Sequence, residues 1–252
     1  MKALLHISFL GTNYCGYQVQ PNGISIQQKL NEAAKALFGY ECDIVGCSRT
    51  DSGVHANEFC ATVSKKGEAY LDTSVPVKKI PKAMSFYLPW DIVVYSAEEV
   101  ADDFHPRYDV KYKEYVYKIW NSELRSPFLD ARAWHCPKFI DDKGIDDMNE
   151  AAKSLLGRHD FSSYMASNTK IKDTVRTIVD IGVSRKDGIV EFHVSADGFL
   201  YNMVRIIVGT LVDVAYGKIN PRDIHRITEA CDRKQAGTTA PAHGLYLNRV
   251  VY

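Results

Sequence analysis

Ser25-Ile26-Gln27-Gln28-Lys29-Leu30-Asn31-Glu32-Ala33-Ala34-Lys35-Ala36-Leu37-Phe38-Gly39 is the stretch from which the rest of the chain takes its order. Ile26, Leu30, Ala33, Ala34 and Leu37 recur at helical spacing. Ser25 with Gln28 three residues on makes a capping-box pattern, and Gly39 supplies the stop. Before this helix, Ala3, Leu5, Ile7 and Phe9 alternate with Leu4, His6 and Ser8, as a strand requires. After it come two strands, near residues 43–47 and 59–64, then a short helix near 77–86 and, beyond Pro89, a strand near 92–96. The order β-α-β-β-α-β is the ferredoxin-like arrangement.

The second half varies the same plan. Residues 108–120 read as one long strand. Ile145, Met148, Ala151, Ala152 and Leu155 mark a helix ending at Gly157. Residues 174–185 and 189–195 form a hairpin turning at Lys186-Asp187-Gly188. Phe199, Leu200, Met203, Val204, Ile207, Val208, Leu211 and Val212 make an apolar helical stripe. Asn220-Pro221 opens another helix, and residues 244–252 close the chain as a strand. The expectation is an α+β protein of two ferredoxin-like halves with antiparallel sheets, residues 1–103 and 104–252, with a substrate cleft between them.

Composition narrows the function. Of 252 residues, 46% are hydrophobic and 25% charged, and 31 Lys and Arg balance 31 Asp and Glu. That excludes a disordered or collagen-like chain. The most apolar stretch, residues 201–216, is broken by Arg205 and Asp213 and is too short to span a bilayer, so no membrane partner is expected. The first ten residues begin like a signal peptide but run into Gly11-Thr12-Asn13-Tyr14 without a small-residue cleavage site, and so read as the first strand. Cysteines 15, 42, 47, 60, 136 and 231 include no Cys-x-x-Cys pair and no His-rich companion. They read as scattered thiols of a reducing cytoplasm rather than as disulfides or a zinc site. Zero net charge leaves nucleic-acid binding to charge segregation. Asp141, Asp142, Asp146, Asp147 and Glu150 form an acidic stretch. Arg107, Lys111, Lys113, Lys118, Lys170, Lys172 and Arg176 stand among aromatics or in a loop, as phosphate and base contacts need, although a solvated strand face explains them too.

The segment richest in chemistry is Gly46-Cys47-Ser48-Arg49-Thr50-Asp51-Ser52-Gly53-Val54-His55-Ala56. It offers Asp51 as acid, base or nucleophile and Arg49 for a phosphate; a plain turn at Asp51-Ser52-Gly53 is the competing reading. Serine-hydrolase, P-loop, Rossmann and zinc-protease motifs are absent. Asp51 and His55 lack a third ligand at useful spacing, so no metal is expected.

Arg49-Thr50-Asp51-Ser52-Gly53-Val54-His55-Ala56 resembles the signature loop of the tRNA pseudouridine synthase A family. The resemblance covers nearly the whole chain. Gly11 to Gln20 is similar to that family's opening motif. Phe104-His105-Pro106-Arg107 with Lys113-Glu114-Tyr115-Val116-Tyr117 is similar to its central strand. Gly157-Arg158-His159-Asp160-Phe161, Phe199-Leu200-Tyr201-Asn202-Met203-Val204-Arg205 and Gly244-Leu245-Tyr246-Leu247 follow in family order. The chain departs from the family pattern at Leu10 (usually Asp), Tyr17 (usually Trp) and Ser52 (often Ala or Lys).

The resemblance implies a pseudouridine synthase fold and the isomerisation of uridine to pseudouridine in tRNA, with no cofactor. Asp51 matches the catalytic aspartate, acting as nucleophile or through a glycal. Arg205 matches its charge partner, which an ionised carboxylate in a water-poor pocket requires. Tyr115 matches the aromatic that stacks on the target uracil, and Tyr117 on the same strand face reads as core. Leu245 matches a residue lining the base pocket. Arg49 matches the arginine that enters the RNA stem as the uridine flips out, as it must for its glycosidic bond to be reached. His55, Arg107 and Lys113 stand in matched segments as further substrate contacts. The resemblance also implies a homodimer acting on the anticodon stem-loop, at tRNA positions 38, 39 and 40. Three rival readings stand beside it. One is a non-catalytic ferredoxin-like RNA-binding module. Another is a hydrolase pairing Asp51 with a second acid such as Asp197. The third is a pseudouridine synthase with another RNA target, set by loops such as residues 165–173.

Overall fold

In a computed structural model of the chain, residues 1–167 and 171–252 are described. They divide into two compact units: Met1–Lys111 with Leu247–Tyr252, and Tyr112–Tyr246.

The first unit has β1 (Lys2–Phe9), α1 (Ile26–Phe38), β2 (Cys42–Gly46), β3 (His55–Lys65), α2 (Ile80–Ser85) and β4 (Ile92–Val100). The sheet runs β4-β1-β3, with β2 also paired to β3. All three pairings are antiparallel, in registers such as Ile7 opposite Phe59, His6 opposite Ser96 and Gly46 opposite Ala61. This is the ferredoxin-like unit expected from the sequence. Helix α1 starts where Ser25 Oγ accepts the Gln28 N–H at 3.2 Å and stops at Gly39, whose φ is 80°. The capping box stays half-formed, because the Gln28 amide donates to Glu32 instead. Ile26, Leu30, Ala33 and Ala34 of α1 and Ala3, Leu5 and Ile7 of β1 are buried. Each of the large aliphatic side chains among them contributes about 1.5–3 kcal/mol.

The second unit holds β5 (Tyr112–Trp120), β6 (Trp134–His135), α3 (Asp142–Lys153), β7 (Gly157–Asp160), β8 (Val175–Lys186), β9 (Ile189–Ala196), α4 (Met203–Ala215) and α5 (Ile224–Glu229). Its strands lie in the order β5-β9-β8-β7, antiparallel throughout, and β6 joins β5 in parallel. The last strand, β10 (Leu245–Val251), completes a second β-α-β-β-α-β succession along the chain when β6, β7 and α5 are set aside. The fold is α+β and mostly antiparallel. Among the described residues no helix is long and apolar enough to cross a membrane. Among the described residues none of the six cysteines is joined in a disulfide.

Several element limits differ from the sequence expectation. β5 begins at Tyr112, not 108, because the amides of Tyr108 and Asp109 turn back to the His105 carbonyl. α3 starts earlier, at Asp142, where Asp141 Oδ1 accepts the Gly144 N–H at 2.7 Å. It ends at Lys153, so Gly157 opens β7 rather than closing the helix. α4 starts only at Met203, because Asn202 at its N-cap is left-handed with φ 61°. Phe199 and Leu200 therefore precede the helix.

Candidate active site

Asp51 sits half-buried in the loop between β2 and β3. The loop is closed by the Val54 N–H donating to the Asp51 carbonyl at 3.2 Å. A second segment, residues 10–17, is laid against it. The Tyr14 carbonyl accepts the Gly53 N–H at 3.4 Å and the Ser52 hydroxyl at 3.1 Å. The Tyr17 N–H donates to the Thr50 carbonyl at 3.3 Å, and the Gly11 N–H to His55 Nδ1 at 2.9 Å. Two glycines make this approach feasible. A Cβ on Gly11 would lie 2.0 Å from the Val54 oxygen, and one on Gly16, at φ +95°, would lie 2.4 Å from the Thr50 oxygen. No other residue fits such contacts.

The clamp is itself anchored. The Tyr14 hydroxyl donates to Asp91 Oδ1 at 2.6 Å, and the Leu10 N–H to the Asp91 carbonyl at 2.9 Å. Burial, then the bond to Asp91, pushes the Tyr14 hydroxyl pKa above its ordinary value. Tyr17 stacks on Phe59 with ring centres 4.3 Å apart. Burial holds its phenol protonated, and among the described residues neither the Tyr17 hydroxyl nor Thr50 Oγ1 finds a hydrogen-bond partner. Asp51 thus rides on backbone fixed from both sides.

The other residues of this unit divide by exposure. Arg49 and Arg107 are exposed, and the Arg107 guanidinium lies 5.9 Å from the Tyr108 ring centre. His55, by contrast, is wholly buried on β3. Its Nδ1 accepts a hydrogen bond, which makes it a neutral ring with the proton on Nε2. That placement suits a brace of the Asp51 loop better than an RNA contact.

In the second unit, Arg205 is held by Nε donating to the Ala240 carbonyl and Nη1 donating to Asn202 Oδ1, both at 2.8 Å. The Ala240 N–H returns a bond to the Arg205 carbonyl at 3.0 Å. Tyr115 is 6% exposed and meets Phe199 edge to face, ring centres 4.9 Å apart. Tyr117 is core, as the sequence implied, and its hydroxyl donates to the Pro241 carbonyl at 2.7 Å. Leu245 is buried at the end of the same 240–245 segment. His243 stands in the field of Arg205. Burial lowers its pKa and the Arg205 charge adds to the lowering, against Asp130 and a hydrogen bond to the Ala133 backbone.

The expected basic surface is smaller than the sequence suggested. Lys113 is only 9% exposed. The Lys118 ammonium sits 4.9 Å from the Tyr246 ring centre. Arg176 turns back onto the carbonyls of Asp173 and Val175. Lys111 and Lys172 are exposed, and Lys170 lies outside the described residues. Asp197, the second acid of a hydrolase, is engaged locally, accepting the Thr177 N–H at 2.9 Å. Sequence reasoning missed Asn202, Phe199 as the ring against Tyr115, Asp91 and His243. Asn202 carried a signal, since asparagine is enriched where the backbone turns left-handed.

Comparison with known proteins places the chain. The family model for tRNA pseudouridine synthase matches residues 151–252. The tRNA pseudouridine synthase A of Acetivibrio thermocellus is 44% identical over 248 residues, 98% of each chain. That of Thermoanaerobacter sp. strain X514 is 40% identical over 251 residues, 100% of this chain and 99% of the other. The tRNA pseudouridine synthase A 2 of Clostridium perfringens is 43% identical over 249 residues, 98% of each. With such identity sustained from end to end, this chain belongs to the tRNA pseudouridine synthase A family.

Proposed function

We propose that this protein isomerises uridine to pseudouridine in tRNA, at positions 38, 39 and 40 of the anticodon stem-loop, with Asp51 as the catalytic carboxylate. The observation that carries the assignment to Asp51 is its loop: two glycines and five hydrogen bonds hold the segment around one half-buried carboxylate. A plain turn needs no such bracing. Positioned groups are what a reaction without a cofactor depends on.

The reaction balances within the substrate. The bond from C1′ to N1 of the uracil breaks, the base turns, and C5 bonds to C1′; the C5 proton leaves and N1 gains one. Asp51 either attacks C1′ or removes a sugar proton toward a glycal, and both routes require an ionised carboxylate beside the ribose. Arg205, pre-oriented by Ala240 and Asn202, supplies the opposing charge. Tyr115, locked against Phe199, offers a rigid ring for stacking on uracil and a hydroxyl to receive the C5 proton. Leu245 lines the base pocket. Arg49 fills the stem while the uridine is out. Arg107 contacts the tRNA backbone, and His55 and Lys113 support the site from within. The protein works as a cytoplasmic homodimer, an inference from the family resemblance; cysteines outside any disulfide suit a reducing compartment.

Asp51→Asn tests the assignment. It keeps size and removes charge, so tRNA affinity stays near wild type while turnover disappears, because binding rests mostly on phosphate contacts. Substantial turnover by Asp51→Asn contradicts the role.

A further inference from the structure

On the face of the first sheet opposite Leu5 and Ile7, three donors from neighbouring strands converge. His6 of β1 and Cys60 of β3 are directly paired in the register, and Glu58 stands two residues from Cys60 on the same face. His6 Nδ1 is 3.2 Å from the Glu58 carboxylate and 3.7 Å from Cys60 Sγ. All three ligand atoms lie within 4.8 Å of one another. At the far side of the ring, His6 Nε2 is 3.2 Å from the Glu98 carboxylate. None of these residues has a part in the reaction proposed above.

We propose that His6, Glu58 and Cys60 form a binding site for a zinc-like divalent cation, with Glu98 as the outer partner that orients the histidine. The hydrogen-bond pattern motivates it first. If Nε2 carries the proton and donates to Glu98, Nδ1 presents a lone pair to a carboxylate, acceptor facing acceptor. Something positive belongs between them, either a proton or a metal. A proton on Nδ1 bonds Glu58 and leaves Cys60 Sγ, 3.7 Å away and also hydrogen-bonded to Tyr252, as a weak partner, whereas a metal takes up nitrogen, oxygen and sulfur together.

The distances fit a metal. Tetrahedral zinc, with bonds of about 2.0–2.1 Å to nitrogen and oxygen and about 2.3 Å to sulfur, has N···O edges of about 3.3 Å and N···S edges of about 3.6 Å. The observed 3.2 and 3.7 Å match these two edges, and the third, from the Glu58 oxygen to the Cys60 sulfur, lies within 4.8 Å. A nitrogen, an oxygen and a sulfur donor form a set that zinc accepts and that magnesium or calcium does not favour. Glu98 completes the carboxylate–histidine–metal relay that fixes ligand tautomer and ring orientation. Partial exposure of His6 and Glu58, side chains 20% and 25% accessible, leaves an entry path above the buried Cys60. Binding would convert the Cys60 thiol to thiolate, its proton passing to solvent. Three protein ligands leave the fourth position to water. The role is structural, cross-linking β1 to β3.

The test uses the full chain, stripped with a chelator, and the metal ion alone as probe. Zinc titrated calorimetrically binds at one equivalent. Cobalt(II), which copies zinc geometry, gives intense tetrahedral visible bands and a thiolate-to-metal charge-transfer band. Cys60→Ser removes the charge-transfer band and lowers affinity at least tenfold, His6→Gln abolishes binding, and Glu98→Gln weakens it about 10- to 100-fold. Circular dichroism and Tm check that each variant is folded; if Cys60→Ser is not, Glu58→Gln on the accessible rim takes its place. Absence of the charge-transfer band, or unchanged zinc affinity in Cys60→Ser or Glu58→Gln, overturns the proposal. So does a doubly protonated His6 ring, seen by NMR, that equimolar zinc leaves unchanged.

Discussion

Gly11→Ala adds one methyl group where two backbones touch. The new Cβ would lie 2.0 Å from the Val54 carbonyl oxygen and 2.7 Å from its carbon. A comfortable carbon–oxygen contact is about 3.3–3.6 Å. The two segments must therefore part by about 1.3 Å, and because both sides are main chain no rotamer change relieves the clash. The separation breaks the buried 2.9 Å bond from the Gly11 N–H to His55 Nδ1. A stranded buried donor costs about 1–3 kcal/mol, and overpacking adds about 1–3 kcal/mol. The expected loss of stability is thus about 2–6 kcal/mol, read from urea unfolding. Turnover should suffer separately. Val54 is three residues from Asp51, and a misplacement of about 1 Å at a catalytic group costs on the order of a hundredfold in rate. Single-turnover kinetics on saturating tRNA should show that fall, while tRNA affinity changes less than threefold. An unfolding midpoint and a turnover rate both equal to wild type would refute the bracing argument.

Three further outcomes follow from the same geometry. Arg49→Met and Arg205→Met should both be slow, but a tRNA with the target uridine already unpaired should partly rescue only Arg49→Met; rescue of both merges the two roles. Burial, reinforced by Arg205, depresses the His243 pKa. The unfolded chain then binds that proton more readily, so the stability tied to His243 is complete above about pH 6.5 and is lost as pH falls. His243→Asn should flatten the acid limb of a Tm-against-pH curve, and an unaltered limb would count against it. tRNA affinity should drop steeply with salt, and Arg49→Ala or Arg107→Ala should each lower the log–log slope by about one, whereas Arg176→Ala leaves it unchanged.

The parts of the fold legible in the sequence were those with local signals. α1 announced itself through Ser25, its apolar spacing and Gly39. The β8–β9 hairpin did so through Asp187-Gly188. β6 has two residues and β7 four, too few for an alternation to register. Tyr108 looked like strand because its side-chain type favours one, but the turn at His105 overrode that preference. In the site, the Asp51 loop stood out by residue type and family pattern, whereas its support did not. Tyr14 and Asp91 are 77 residues apart, and only the folded sheet brings them together. Two placements were readable in retrospect. His55 lies between Val54 and Ala56, all three buried, so an apolar environment was signalled. The alternation that put Tyr117 in the core also puts Lys113 and Tyr115 on that face. The His6, Glu58 and Cys60 cluster was invisible, because its spacing is set by strand register rather than by a run of sequence.

The most direct test of the central claim is to map pseudouridine, base by base, in unmodified tRNA incubated with the pure protein and, in parallel, with Asp51→Asn. The account predicts new pseudouridine at positions 38, 39 or 40 with the wild-type protein and none with Asp51→Asn at matched tRNA occupancy. No new pseudouridine with the wild-type protein, or equal amounts from both proteins, would contradict it.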